Sequence, residues 1–305
     1  MKKNILVLGG SGFLGKNICE VLRKQYNIIV FSKESIPASD HKSYQGDFSN
    51  PKDLEMVFKE NKIDIVLHLI STTTPATSNK DKAYDIKSNL LATIDLLDLM
   101  VKYSVPKIVF ISSGGGVYGK LGNNEKSVKE DHATNPLCSY AICKLAIEKY
   151  LLLYKNLHNI DYLILRVSNP YGEHHSSDSQ GIINIMLKKI VAGDKIEIWG
   201  DGSVIRDYIY VKDCANIVKT LLDKETFNRI LNVGSGRGYS INAIIDKIKK
   251  ITGNFKLEYK DARPYDVPRI VLNINRLKKI ADPKFTEIDA GILKTYNWIK
   301  KYGNK

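Results

Sequence analysis

The chain has 305 residues, 43% of them hydrophobic, and its 46 Lys and Arg against 33 Asp and Glu give a formal charge of +13. That length suits one doubly wound domain with an attached smaller lobe, and the composition excludes a low-complexity or disordered chain. No apolar run approaches the roughly twenty residues of a membrane span, and the lysine excess is spread over the helices rather than gathered in an arginine-rich block, so neither a membrane nor a nucleic-acid partner is expected.

Residues 1–7 run directly into a buried strand at 5–8 with no cleavage-like site, which reads as a cytoplasmic protein without a signal peptide. A tight turn follows, with Gly9, Gly12 and Gly15 placed so that backbone amides can approach a pyrophosphate while a helix over 13–24 packs close to the strand. A second strand at 28–31 ends in Ser32-Lys33-Glu34. Gly46-Asp47 then leads to a helix at 51–59, where Asp47 is either a ligand contact or a cap for the turn. Strands at 63–69 and 107–111 flank a helix at 81–103, and a helix at 137–157 precedes a strand at 162–167. This alternation predicts an α/β fold, a doubly wound parallel sheet with ligands at the carboxyl ends of its strands. The glycine turn, Asp47, residues 71–74 and residues 112–116 all lie at such ends.

The helix at 137–157 contains Ser139-Tyr140-Ala141-Ile142-Cys143-Lys144. Tyr140 and Lys144, four residues apart, share one helix face, so an ammonium can favour the phenolate and make the tyrosine a general base. Such a pair alone is often only solvated helix surface. Here it lies in a chain that also carries the glycine turn.

Beyond residue 170 the pattern changes. Residues 176–179 mark a loop, a helix at 181–191 opens a smaller lobe, 207–233 is expected to return to the main sheet, and 238–305 completes the lobe. The expected division is 1–170 plus 207–233 for the dinucleotide-binding domain and 171–206 plus 234–305 for the C-terminal substrate lobe. Cys19, Cys138, Cys143 and Cys214 lack ligand spacing; they read as reduced thiols, and no metal site is expected.

Several ordered motifs together resemble the extended short-chain dehydrogenase/reductases: the Gly-x2-Gly-x2-Gly turn, Gly46-Asp47, Asn89, Ile111-Ser112-Ser113 followed by Val117-Tyr118-Gly119, and Tyr140-x3-Lys144. Asn169-Pro170-Tyr171-Gly172, Gly200-Asp201-Gly202 with Arg206-Asp207-Tyr208, and Arg263-Pro264-Tyr265-Asp266 extend the likeness over the whole chain, toward the nucleotide-sugar epimerase/dehydratase branch and its UDP-glucose 4-epimerase-like members. The resemblance implies an NAD(P)-dependent 4-epimerase with a transient 4-keto sugar, or otherwise a one-way 4-dehydrogenase/4-keto reductase; a non-catalytic dinucleotide-binding protein is the reading from another class. It implies cofactor contacts at Gly9, Ser11, Gly12, Phe13, Leu14, Gly15, Ser32, Lys33, Asp47, Phe48, Leu69, Ile70, Ser71, Asn89, Ile111, Tyr140 and Lys144. Ser32 and Lys33 replace the acidic residue that usually holds the ribose hydroxyls, which leans toward NADP over NAD.

For the nucleoside diphosphate sugar it implies contacts from Ser113, Tyr140, Asn169, Trp199, Arg206, Arg263 and Asp266. Arg206–Asp207 and Arg263–Asp266 can equally be surface ion pairs, and Trp199 either a core residue or a stacking platform. Family members place a catalytic Ser or Thr three residues before Val-Tyr-Gly, which is Gly114 here. Ser113, a hydroxyl from residues 71–73 or a water is the expected substitute; Ser113 is adjacent, although it points elsewhere on a backbone of the usual course. Gly115 and Gly116 lack the acidic groups that elimination or decarboxylation needs. The family also implies Ile270 at a position limiting space beside the sugar's 2-substituent, hence tolerance of acetamido sugars. Its dimers pair two helices across a two-fold, and Leu90, Ile94, Leu97, Leu145 and Leu152 are the candidate contacts.

Overall fold

The computed structural model describes residues 2–34, 41–122, 125–262 and 267–303. In chain order the first half contains β1 (Asn4–Leu8), α1 (Phe13–Leu22), β2 (Asn27–Ser32), β3 (Lys42–Gln45), α2 (Pro51–Glu60), β4 (Ile65–His68) and α3 (Lys82–Asp85). A π-helical turn (Ile86–Leu91) joins α3 to α4 (Ala92–Lys102), followed by β5 (Lys107–Ser113), α5 (Ser139–His158) and β6 (Asp161–Val167).

Seven strands form one parallel sheet in the order β3-β2-β1-β4-β5-β6-β10, where β10 is Arg229–Val233. The interior strands are largely apolar because both sheet faces are covered. Alternate residues supply two cores: Ile5, Val7, Val109 and Leu165 pack with α1 and α7 (Val211–Asp223), whereas Leu6, Leu8, Phe110 and Ile164 pack with α2, α4 and α5. The chain crosses from the β2–β3 side back to β4, so the order reverses between β1 and β4, where a ligand crevice opens in such sheets.

β3 went unread in the sequence, because Lys42-Ser43-Tyr44-Gln45 is a polar edge strand with three exposed residues. The expected helix at 81–103 is interrupted by the π-helical turn.

In the second half β7 (Asn169–Tyr171), α6 (Ile182–Ala192), β8 (Ile196–Trp199) and β9 (Ile205–Tyr210) precede α7 and β10; β11 (Gly238–Ser240), α8 (Ile241–Thr252), β12 (Leu257–Lys260), β13 (Arg269–Ile270), α9 (Asn275–Ala281) and α10 (Ile288–Tyr302) follow. Strand β9 is the hub of a small sheet, pairing with β7, β11 and β13, and β8 pairs with β12. Of the segment 207–233, therefore, only β10 enters the main sheet, because residues 207–210 belong to β9. A third apolar core holds α6, α8 and α10 together.

Of the expected dimer contacts, burial rules out one. Leu97 has no exposure and packs in the core, and Leu90, Ile94, Leu145 and Leu152 are half-buried. The large apolar residues left exposed over 81–103 and 137–157 are Tyr84, Ile86, Leu91, Leu137, Ile142, Leu153 and Leu157. Among the described residues no helix is long and apolar enough to cross a membrane.

Candidate active site

The amide of Gly9 donates to the Phe31 carbonyl at 2.8 Å, tying the turn to β2, and Gly9 takes φ +85°, a conformation that favours glycine. A Cβ at Gly15 would lie 2.2 Å from the Gly9 oxygen, so only glycine lets α1 start this close to β1. A Cβ at Gly12, the N-cap of α1, would meet nothing but the Gly9 carbonyl, at 3.3 Å. This cradle at a helix N-terminus, with backbone amides and little side chain, fits a dinucleotide pyrophosphate. The Phe13 ring turns away onto His175 at 4.8 Å, Leu14 packs on the core beneath, Ser11 is half-buried, and Ile70 borders the turn with its Cγ1 3.1 Å from a Gly9 Cβ.

At the ribose end, the Ser32 hydroxyl donates to the Glu34 carbonyl at 2.8 Å and the Lys33 ammonium lies 3.8 Å from Asp47. The Ser49 hydroxyl and amide donate to Asp47 Oδ1 and hold its carboxyl below the usual range. The helix cap is a different residue, since Asn50 accepts from the Lys52 amide and opens α2. Phe48 is only 5% exposed, its ring against His68, which leaves mainly backbone for a ligand. After β4, the Leu69 amide joins β1 through the Leu8 carbonyl and the Ser71 hydroxyl bonds the Thr73 carbonyl. Asn89, within the π-helical turn, donates to Thr72 Oγ1 and Asp85 while accepting from the Thr72 amide.

Helix α5 starts where the Ser139 amide donates to Asn79 Oδ1 at 3.0 Å. One turn in, the Lys144 ammonium is 5% exposed, donates to the Ile111 carbonyl at 3.0 Å and lies 5.8 Å from the centre of the Tyr140 ring. The Ser113 hydroxyl lies close enough to the Tyr140 phenol to draw its pKa down, so this serine faces the tyrosine after all. Gly114 shows why. A Cβ there would sit 2.6 Å from Leu272 and 2.9 Å from the Arg166 carbonyl, so its side-chain direction points into packed protein.

Burial pushes the Tyr140 phenol up to about 12, and the nearby Ser113 hydroxyl draws it back. Burial also lowers Lys144 to about 8, against the carboxylates of Asp85 and Glu148. Glu148 is itself held by Arg166, which donates through Nε and Nη2 at 3.1 and 2.7 Å, and by the Ser112 hydroxyl at 2.5 Å; this buried pair ties α5 to β5 and β6.

On the substrate side, a cavity of about 190 Å³ is lined by Asn169, Arg206, Tyr208, Ile182, Val204 and Ile241 among others. The Asn169 amide donates to the Asp207 carbonyl at 3.0 Å, and Arg206 donates to the Ile205 and Val267 carbonyls at 3.0 and 2.6 Å. Asp207 is fully buried and accepts from Ser235, Gly236 and Leu272, so Arg206–Asp207 is not a surface ion pair. Trp199 is 43% exposed, which excludes a core role, and it does not line this cavity. Ile270 is 1% exposed within the main-sheet core, away from the cavity lining. Arg263 and Asp266 lie outside the described residues. The sequence reading missed Tyr208, which is 4% exposed and whose hydroxyl has no hydrogen-bond partner among the described residues. Its signal was present, since residues 206 and 208 share a strand face.

Residues 5–234 match the model of the NAD dependent epimerase/dehydratase family. A Methanocaldococcus jannaschii protein provisionally named a UDP-glucose 4-epimerase is 34% identical over 304 residues, 97% of this chain and 98% of its own. An Escherichia coli dTDP-4-dehydro-6-deoxyglucose reductase is 32% identical over 288 residues, 90% of each chain. The crystal structure of a Thermotoga maritima UDP-glucose 4-epimerase with UDP-glucose superposes with a TM-score of 0.91 at 29% identity, covering 98% of this chain and 99% of that one. The chain belongs to the NAD-dependent epimerase/dehydratase family, within the extended short-chain dehydrogenase/reductases, and is an NAD-dependent enzyme of nucleotide sugars.

Proposed function

We propose that the chain is a nucleotide-sugar 4-epimerase acting through a 4-keto intermediate on a hexose or N-acetylhexosamine. The supporting observation is the buried Lys144 ammonium 5.8 Å from the Tyr140 ring, with the Ser113 hydroxyl beside the phenol. Tyr140 takes the proton of the sugar's 4-hydroxyl, and Ser113 holds the 4-oxygen and relays the proton. Lys144, fixed by the Ile111 carbonyl, keeps two N–H groups for ribose hydroxyls. When bound, the dinucleotide supplies a reversible two-electron acceptor and, oxidised, a positive ring that favours the phenolate. Gly115 and Gly116 have no side chain to serve elimination or decarboxylation, so the keto sugar is left to be reduced again.

Asn169, Arg206 and Tyr208 are assigned to the nucleotide end, and Arg263 and Asp266 to the same end on sequence grounds. Lys33, with an 82% exposed side chain, can exchange Asp47 for a ribose phosphate, so NADP is the proposed preference within an NAD-dependent family. Calorimetry with each dinucleotide checks that preference: tighter NAD binding removes it. Exposed Ile142, Leu153 and Leu157 on α5, with Ile86 and Leu91 beside them in sequence order on the π-helical turn, are proposed to close a homodimer. The free cysteines suit a cytoplasmic setting.

The test is interconversion at C4 of UDP-glucose and of UDP-N-acetylglucosamine, together with mass spectrometry of small molecules retained by the purified protein. Failure to invert C4 of any nucleotide sugar while holding a dinucleotide overturns the epimerase. The likeness to the Escherichia coli reductase favours a second reading, one-way 4-keto reduction, which stoichiometric consumption of reduced cofactor would establish instead.

A further inference from the structure

A second cleft lies at the opposite end of the sheet from the cofactor crevice, where the amino ends of β1 and β2 meet the carboxyl ends of α1 and α2. It encloses about 630 Å³, against about 190 Å³ for the substrate cavity, and falls within the size range of small-molecule sites. Lys2, Arg23, Lys24, Lys42 and Lys62 line it. Glu60 is the one carboxylate among the described lining residues, and it is already held by the Tyr44 hydroxyl at 2.7 Å with the Lys42 ammonium at 3.8 Å.

Side-chain bonds tie the walls together. Asn27 Nδ2 donates to Asn4 Oδ1 at 2.9 Å, joining the first residues of β2 and β1, and Asn4 Nδ2 donates to the Lys62 carbonyl at 2.6 Å. The Lys42 ammonium donates to Asn61 Oδ1 at 2.9 Å. The positive charges, by contrast, are not balanced within the protein. Among the described residues the exposed ammoniums of Lys2, Lys24 and Lys62 have neither a hydrogen bond nor an ion pair. Lysines often serve the carbonyls at helix ends, but other donors already do so here. At the end of α1 the Arg23 amide donates to the Cys19 carbonyl and the Gln25 and Tyr26 amides to the Leu22 carbonyl, and at the end of α2 Asn61 Nδ2 donates to the Val57 carbonyl. Like charges set around a concave surface repel one another and focus a positive potential into the space between them. A ligand with several negative charges turns that repulsion into attraction.

We propose that this cleft is a binding site for a small oligophosphate, recognised through its phosphate oxygens and separate from the dinucleotide and sugar sites. Ammoniums bind phosphate as point charges that need no fixed geometry, and consecutive phosphates match lysines placed around one cavity. No exposed Tyr, Trp or Phe is among the described lining residues: Tyr26 is 9% exposed and its hydroxyl donates to Asp223. The cleft therefore offers a base no ring to stack on, as single-stranded nucleic acid would need.

The test titrates inorganic tripolyphosphate into the full chain at low ionic strength, by calorimetry, with dinucleotide present in excess so that the pyrophosphate cradle is filled. One equivalent should bind with a Kd of about 100 μM or tighter, weakening as salt is raised. Lys24→Gln/Lys62→Gln should weaken it about tenfold or more while leaving the dinucleotide Kd in place. Lys278→Gln/Lys279→Gln removes the same charge from exposed positions of α9 outside the cleft and should leave tripolyphosphate affinity unchanged. All four lysines are exposed, so both variants should fold, which thermal unfolding checks. A nucleoside triphosphate should bind no tighter than tripolyphosphate; a clear gain would overturn recognition through phosphates alone. No binding up to about 1 mM, equal losses in the two variants, or binding that dinucleotide abolishes would each overturn the site. A short oligothymidylate that outcompetes tripolyphosphate for the same lysines would make the cleft part of a nucleic-acid track and overturn the small-ligand assignment.

Discussion

On the cofactor side of the crevice, four polar side chains are committed within the protein. Asn89 uses its carbonyl and both amide protons, Lys144 donates to Ile111, Asp47 is held by Ser49, and Ser32 by the Glu34 carbonyl. On the substrate side the hydroxyl of Tyr208, which lines the cavity, is buried without a hydrogen-bond partner among the described residues. The first wall owes its shape to internal bonds that persist whatever binds. The second holds a polar atom whose burial costs free energy until something bonds it. Substitutions should therefore behave oppositely: on the cofactor wall they cost stability and function together, and on the substrate wall they separate the two.

The largest effect belongs to the group both walls serve. Tyr140→Phe keeps the ring and its packing but removes the proton-accepting oxygen, and turnover should fall roughly a thousandfold with little change in melting temperature. Retained turnover would dissolve the comparison, because neither wall would then surround a catalytic group. Ser113→Ala should cost about a hundredfold in kcat, the usual scale for one positioned donor. Its companion is Gly114→Ser, which puts the hydroxyl where family members carry it. Since a Cβ there meets Leu272 at 2.6 Å and the Arg166 carbonyl at 2.9 Å, this change should cost about 2 kcal/mol of stability and raise no rate. A faster G114S enzyme would return the catalytic role to that position. Asn89→Ala strips several internal bonds from the cofactor wall, so thermal unfolding should show a loss of about 2 kcal/mol alongside weaker dinucleotide binding.

Local, periodic signals made the first wall readable from sequence. Gly9, Gly12, Gly15 and the Tyr140–Lys144 pair declare themselves within a few residues, and so does the strand–helix alternation of the main sheet. What escaped depends on geometry that composition does not record. Ser113 faces Tyr140 because the next residue's side-chain direction is filled by Leu272, more than 150 residues away in sequence. The π-helical turn around Asn89 leaves an amphipathic pattern much like that of the helix it interrupts. Ile270 went into the core because β13 pairs with β9, opposite Arg206, a register no spacing announces. β3 was hidden by its own polarity, as an edge strand often is.

Tyr208→Phe is the smallest change expected and the most discriminating. In the protein alone its hydroxyl is a buried group without a partner among the described residues, so deleting it removes a desolvation cost; melting temperature should hold or rise, by up to about 1 kcal/mol in stability. If the hydroxyl bonds the nucleotide, the same deletion should raise KM about fivefold, on the order of 1 kcal/mol, and leave kcat alone, because the bond is worth the same in ground and transition states. Stability and affinity then move in opposite directions from one missing atom. No residue of the cofactor wall should do this, since Asn89 and Lys144 lose internal bonds as soon as they are cut back. A Tyr208→Phe enzyme that is less stable and unchanged in KM would place the phenol in the lobe's packing and leave Asn169 and Arg206 as the polar groups of that cavity.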